Sequence, residues 1–238
     1  VTAGLEIDQV DIDLGGRVVA VTLRRSARAR RMALKVDPAN GAVLVLPPRI
    51  APAEARRFLS QHRVWLAERL ARLPRALPLA DGAQVPLLGR PHLVRHQPGL
   101  RRGVWVEDGV LNVCGRPEHL PRRVTDFLKA EARRLMVPQA HDLAARIGRT
   151  PGRVSVKDTR SRWGSCSARG DLAFSWRLVM APDWVLTYVV GHEVAHLAEL
   201  NHSPAFWRVV DTLVGDPGPA KRWLKAHGPA LHRVGASP

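Results

Sequence analysis

Apolar side chains recur at every second position in the first part of the chain. The runs are Val18-Val19-Ala20-Val21-Thr22-Leu23, Met32-Ala33-Leu34-Lys35-Val36 and Val43-Leu44-Val45-Leu46. A period of two sends alternate side chains to opposite faces, so three strands are expected, with Asp37-Pro38-Ala39-Asn40-Gly41 turning the chain between the second and third. The period then lengthens. Leu59, Leu66, Leu70 and Leu73 share one face of a helix expected from Pro52 to about Leu73, while Arg56, Arg63, Arg69 and Arg72 keep largely to other faces. Prolines at 74 and 78 break that pattern. A second β region follows, in which Val104-Trp105-Val106 and Val110-Leu111-Asn112-Val113 flank Glu107-Asp108-Gly109, a hairpin signal.

From about His119 to Ile147 the spacing is helical again, with a kink or restart expected at Pro138. Val154–Lys157 and Asp171–Ser175 read as strands of a small sheet. Pro182 opens another helix, along which Val185, Val189, His192, His196 and Glu199 fall at alternating spacings of four and three. Helices are expected after Ser203 and Pro219, and no internal repeat or low-complexity tract is evident. The expected fold is therefore α+β. A β-rich N-terminal region of residues 1–115, with one long helix at 52–73, precedes a second domain of residues 116–238.

Chemistry concentrates on the stripe that contains the histidines. On a helix of 3.6 residues per turn His192 and His196 lie one turn apart on one face, so two imidazoles can grip one metal ion. Glu193 stands beside them, where a carboxylate can take a proton from water at the metal's open position. A catalytic zinc needs a third protein ligand. His202 lies far enough along for the chain to leave the helix and return. Asn201 before it tolerates the left-handed conformation that often ends helices. Glu199 is the other candidate, but seven residues from His192 is nearly two turns, roughly 10 Å of rise, which favours His202. Imidazole ligands make zinc the default ion, ahead of manganese or nickel.

These segments carry a resemblance to a known family. Thr159-Arg160-Ser161-Arg162-Trp163-Gly164-Ser165-Cys166-Ser167, then Trp176-Arg177-Leu178, the His-Glu helix, and Asn201-His202-Ser203-Pro204-Ala205-Phe206-Trp207 resemble the YgjP-like metallopeptidases, relatives of the SprT-like zincins. The N-terminal basic strands, Leu46-Pro47 and the helix containing Trp65 are similar too, so the resemblance runs from about Arg24 to about Trp223. Val194 stands where leucine is commoner. The resemblance implies a zincin-like catalytic domain in which His192, His196 and His202 hold Zn2+ and Glu193 is the general base. It also implies that an edge of the small sheet binds an extended peptide. Phe206 and Trp207 are expected to pack against the metal helix. Arg160, Arg162, Arg177 and Tyr188 are donors that could stabilise an oxyanion.

Charge widens the range of partners. The 238 residues carry 37 basic and 21 acidic side chains, a net charge of +16 that attracts nucleic acid, nucleotides or acidic proteins without choosing among them. The loop Arg24-Arg25-Ser26-Ala27-Arg28-Ala29-Arg30-Arg31 is the best local phosphate contact. Only five of the basic residues are lysine, so a coding bias toward Arg and Ala is a competing account of the charge. Cys114 and Cys166 are too few for a disulfide framework and read as reduced thiols; Cys166 is also a candidate to line the cleft. No apolar run approaches bilayer length, and no basic, apolar and small-residue triad opens the chain, so a soluble, cytoplasmic protein is expected. The function that fits best is a zinc metallohydrolase acting on peptides or proteins. One alternative is a metal-dependent nucleotide (nucleoside triphosphate) pyrophosphohydrolase, although no Gly-rich phosphate loop supports it. Another is a nucleic-acid-associated protease or binding module, which lacks a zinc-finger or RNA-binding signature.

Overall fold

The computed structural model describes residues 7–236 except 39, 101 and 160. The alternating runs form strands. β1 (Ile7–Asp13), β2 (Val18–Arg25), β3 (Ala33–Asp37) and β4 (Gly41–Leu46) make one sheet in the order β1-β2-β4-β3, parallel between β2 and β4 and antiparallel elsewhere. Val21, Leu23, Ala42, Leu44 and Leu46 on one face are buried with Ala55, Leu59 and Leu66 of two helices, α1 (Pro52–Gln61) and α2 (Arg63–Ala71). The single helix expected over 52–73 divides at His62, whose backbone (φ −105°, ψ 13°) leaves helical geometry while its Nδ1 sits 2.8 Å from the Phe58 carbonyl. β1 went unread because it carries Asp at 8, 11 and 13, a residue depleted from strands.

A second sheet repeats the plan of the first. β5 (Gln84–Leu87), β6 (Arg90–Gln97), β7 (Val104–Glu107) and β8 (Val110–Cys114) run in the order β5-β6-β8-β7, again parallel only at the centre, and a helix again follows. Nothing in the residue pattern displays this repetition. The Asp108-Gly109 turn is as expected, with φ of 49° and 74° at its two residues. Leu88 and Gly89 make a second tight turn, held because Leu88 N–H donates to Val179 O at 2.8 Å and Gly89 N–H to Met180 O at 3.2 Å.

The helix after this sheet, α3 (Leu120–Arg146), runs through Pro138 without restarting. Its buried stripe, Leu120, Val124, Leu128, Ala132, Met136 and Ala140, continues on both sides of the proline, so packing outweighs the missing donor. Val85, Val94, Leu111 and Val113 share one core with this stripe. The chain accordingly divides into two compact units between Pro74 and Arg75, earlier than the expected boundary near residue 116. Within the second unit, β9 (Val154–Lys157), β10 (Gly164–Cys166) and β11 (Leu172–Ser175) form a small sheet in the order β10-β11-β9. The 3₁₀ turn Trp176–Met180 leads from it to α4 (Asp183–Ala195), α5 (Pro204–Val214) and α6 (Gly218–His232). Leu77 then pairs with Val234, its N–H donating to Arg233 O at 3.1 Å while its carbonyl accepts from Gly235 N–H at 2.9 Å. The whole is a mixed α+β structure. Among the described residues no helix is long and apolar enough to cross a membrane.

Candidate metal centre

Burial of Val185, Leu186, Val189, Val190 and Val194 seats α4 in the core, and its pitch brings His192 and His196 to one side of its last turn. The helix stops at Ala195, with His196 as its cap, so Glu199 leaves the helical stripe that its spacing suggests. Its backbone serves instead: the Glu199 carbonyl lies 3.0 Å from His196 Nδ1. The chain then turns. Asn201 does not adopt positive φ; among the described non-glycine residues only Leu88 and Asp108 do. Its Oδ1 accepts from Ser203 N–H at 3.1 Å, and Ser203 Oγ accepts from Phe206 N–H at 3.3 Å to cap α5. This pair of side-chain bonds, rather than a left-handed residue, returns His202 to α4.

The three imidazoles converge. His192, His196 and His202 are the described cluster of His, Cys, Asp or Glu able to hold a metal ion, their ligand atoms all within 4.8 Å of one another. His202 Nε2 lies 3.2 Å from His192 Nε2. Two ligands on a tetrahedral zinc with arms of about 2.0 Å stand roughly 3.3 Å apart, so this spacing fits. The opposite ring nitrogens are engaged: His196 Nδ1 with the Glu199 carbonyl, and His192 Nδ1 at 3.5 Å from the Tyr188 hydroxyl, a long contact. With a proton on each Nδ1, both Nε2 lone pairs face the shared space. Fully buried Phe206 floors the cluster, its ring centre 5.0, 4.5 and 4.7 Å from those of His192, His196 and His202. Trp207 lies alongside, 5.8 Å from His192 and 5.7 Å from His202, so both aromatics pack as expected.

Electrostatics keep these groups ready for a cation. Burial, followed by the neighbouring charges of His196, His202 and Lys221, pushes His192 down to about 4. Burial also lowers His196, against the hydrogen bond to Glu199. Both are neutral at pH 7 and can donate lone pairs. Glu193 is buried, and desolvation raises it to about 7 while Arg162 pulls the other way. A carboxyl poised there can accept and release a proton near neutrality. Its place is shaped by Gly164 on β10: a Cβ at that position would lie 2.5 Å from Glu193 Cγ and 2.7 Å from Oε1. β10 is an edge strand, paired among the described strands with β11 alone.

Other sequence candidates separate. Burial and then the charges of Glu193 and Asp171 raise the Cys166 thiol, so it stays protonated beside the site. Burial and the Glu193 charge push Tyr188 up to about 12; its hydroxyl meets a histidine and stays a neutral donor or acceptor. Arg177 is buried, paired with Asp158 and stacked 4.3 Å above the Trp176 ring, which commits it to the scaffold. Arg160 lies outside the described residues. Arg162 is exposed, and its charge reaches Glu193. Gly164 and Lys221 were missed. A glycine in a three-residue strand and a lysine on a later helix carry no spacing signal that ties them to the histidines.

A model of the YgjP-like metallopeptidase domain matches residues 30–227. The chain belongs to that family. Membership makes this YgjP-like protein a hydrolase of metallopeptidase type, implying a metal ion and a peptide or protein substrate. The three-histidine cluster of the YgjP-like chain is compatible with that requirement. No curated protein and no solved structure matches it significantly.

Proposed function

We propose that the protein is a zinc-dependent metallopeptidase in which His192, His196 and His202 hold the ion and Glu193 is the general base. The observation that carries this reading is the convergence of three imidazoles, two with their Nδ1 atoms engaged elsewhere, beside a buried carboxylate. Zinc, when bound, supplies the Lewis acidity that makes water nucleophilic at neutral pH. Glu193 would take the proton of the attacking water as its oxygen adds to the scissile carbonyl, and would pass that proton to the amine that leaves when the C–N bond breaks. The substrate lies extended along the free edge of β10, where backbone pairing would carry its carbonyl past Glu193. Tyr188 and the Glu199 carbonyl orient the ligand rings.

Cleavage of unfolded proteins and peptides by the zinc-loaded chain tests the assignment. Chelation should abolish turnover and zinc restore it, and Glu193→Gln should lower kcat by about 10²–10⁴-fold with one ion still bound. Turnover of nucleoside triphosphates with peptides untouched would replace this reading by a nucleotide hydrolase.

A further inference from the structure

Two exposed cations stand next to residues that pack on the centre, Lys221 against Trp207 and Arg162 two positions before Gly164, and water activation uses neither. Lys221 projects from α6 with its ammonium 3.6 Å from the centre of the Trp207 ring, and that ring packs 5.8 Å from His192 and 5.7 Å from His202. Arg162 stands two residues before Gly164, whose backbone touches the Glu193 side chain. Its segment is pinned on both sides: Thr159 Oγ1 donates to the Arg162 carbonyl at 2.9 Å, and Ser175 N–H donates to Trp163 O at 2.8 Å. Both side chains belong to exposed residues.

Neither cation forms an ion pair among the described residues. The pairs seen there are Arg116 with Glu118, Arg122 with Asp126, Arg134 with Glu131 and Arg177 with Asp158. An aromatic face steadies Lys221 without cancelling its charge, whereas a carboxylate would cancel it. Glu193, the carboxylate beside the histidines, is itself buried.

We propose that Lys221 and Arg162 form an anion-recognition rim that selects peptides with a Glu or Asp side chain next to the scissile bond. This rests on the peptidase reading above. A strand laid on β10 passes Arg162 at its own edge and turns alternate side chains toward the histidines and the Lys221 side. Its acidic side chains supply the counter-charges that the fold withholds. A phosphate would instead call for convergent backbone donors, and no Gly-rich phosphate loop is present in the sequence.

Quenched-fluorescence peptides of one length, carrying Glu, Gln or Lys on either side of the cleaved bond, test this on the zinc-loaded full chain. The Glu peptide should exceed the Gln peptide in kcat/KM by about fivefold or more, chiefly through KM, with the Lys peptide poorest. Lys221→Glu and Arg162→Glu should each collapse that ratio and favour the Lys peptide. Fluorescence anisotropy on zinc-loaded Glu193→Gln reads binding without turnover, and should give the same order, weakened by salt. A Glu-to-Gln ratio near one in the parent, or one that neither charge reversal alters, overturns the rim and leaves the peptidase standing. Charge-ordered binding without cleavage supports the rim and removes the peptidase. Displacement of the acidic peptide by a nucleoside triphosphate at tenfold lower concentration overturns the choice of a peptide.

Discussion

Gly164 contributes to the centre by what it lacks. With a Cβ 2.5 Å from Glu193 Cγ, any other residue would drive the carboxylate off the strand it rests on. Gly164→Ala is therefore expected to keep one zinc per chain while kcat falls about hundredfold, the cost of misplacing a reacting group by about 1 Å. Metal analysis beside kinetics checks this, and an alanine variant within threefold of the parent removes the argument. Protonation supplies a second prediction for the metal-free chain. Burial raises Glu193 from 4.5 to about 7, so the folded state retains a proton that the unfolded chain releases. Its contribution to stability therefore declines as pH rises through that window. His192, lowered from 6.5 to about 4, acts in the opposite sense, adding stability as pH rises between those values. Comparison with Glu193→Gln isolates the carboxyl. The Tm of the variant minus that of the parent should grow by on the order of 5 °C between pH 4.5 and pH 7. A constant difference would contradict the desolvated carboxyl.

Among the elements, α4 and α5 approach closely at Gly191, where an added Cβ would lie 2.4 Å from Val214 Cγ1. That contact holds α5, with Phe206 beneath the imidazoles, against the histidine helix. Gly191→Ala should cost about 1–3 kcal/mol by overpacking and weaken zinc binding, and Val214→Ala should recover much of both. Denaturant midpoints and zinc titrations of the single and double variants decide it; additive losses would show that the contact does not couple the helices. This level also shows what the residue pattern reveals. The spacing of His192 and His196 was legible because helical pitch fixes where residues four apart must point. The end of α4 was not, because the return of His202 depends on side-chain bonds from Asn201 and Ser203 to backbone. β10 was equally hidden. Three residues are too few to show alternation, and its place beside Glu193 comes from pairing with β11.

At the scale of the whole chain, two hydrophobic cores share no residue, one drawn from positions 10–70 and the other from positions 77–234. The boundary escaped the sequence because the second sheet has the same alternating character as the first; only its packing with α3 assigns it to the later unit. All three histidines belong to that unit. Calorimetry should thus resolve two transitions, of which zinc raises one, by about 2.7 kcal/mol at a hundred times its Kd. A single transition shifted as a whole would show one cooperative molecule. The bridge between Leu77 and Val234 has a different consequence. It clasps the beginning of the histidine-bearing unit to its close, so in residues 75–238 taken by themselves, splicing those ends together and opening the chain at an exposed turn is expected to keep the architecture of that unit. The order in which its segments leave the ribosome is then incidental to the shape they reach.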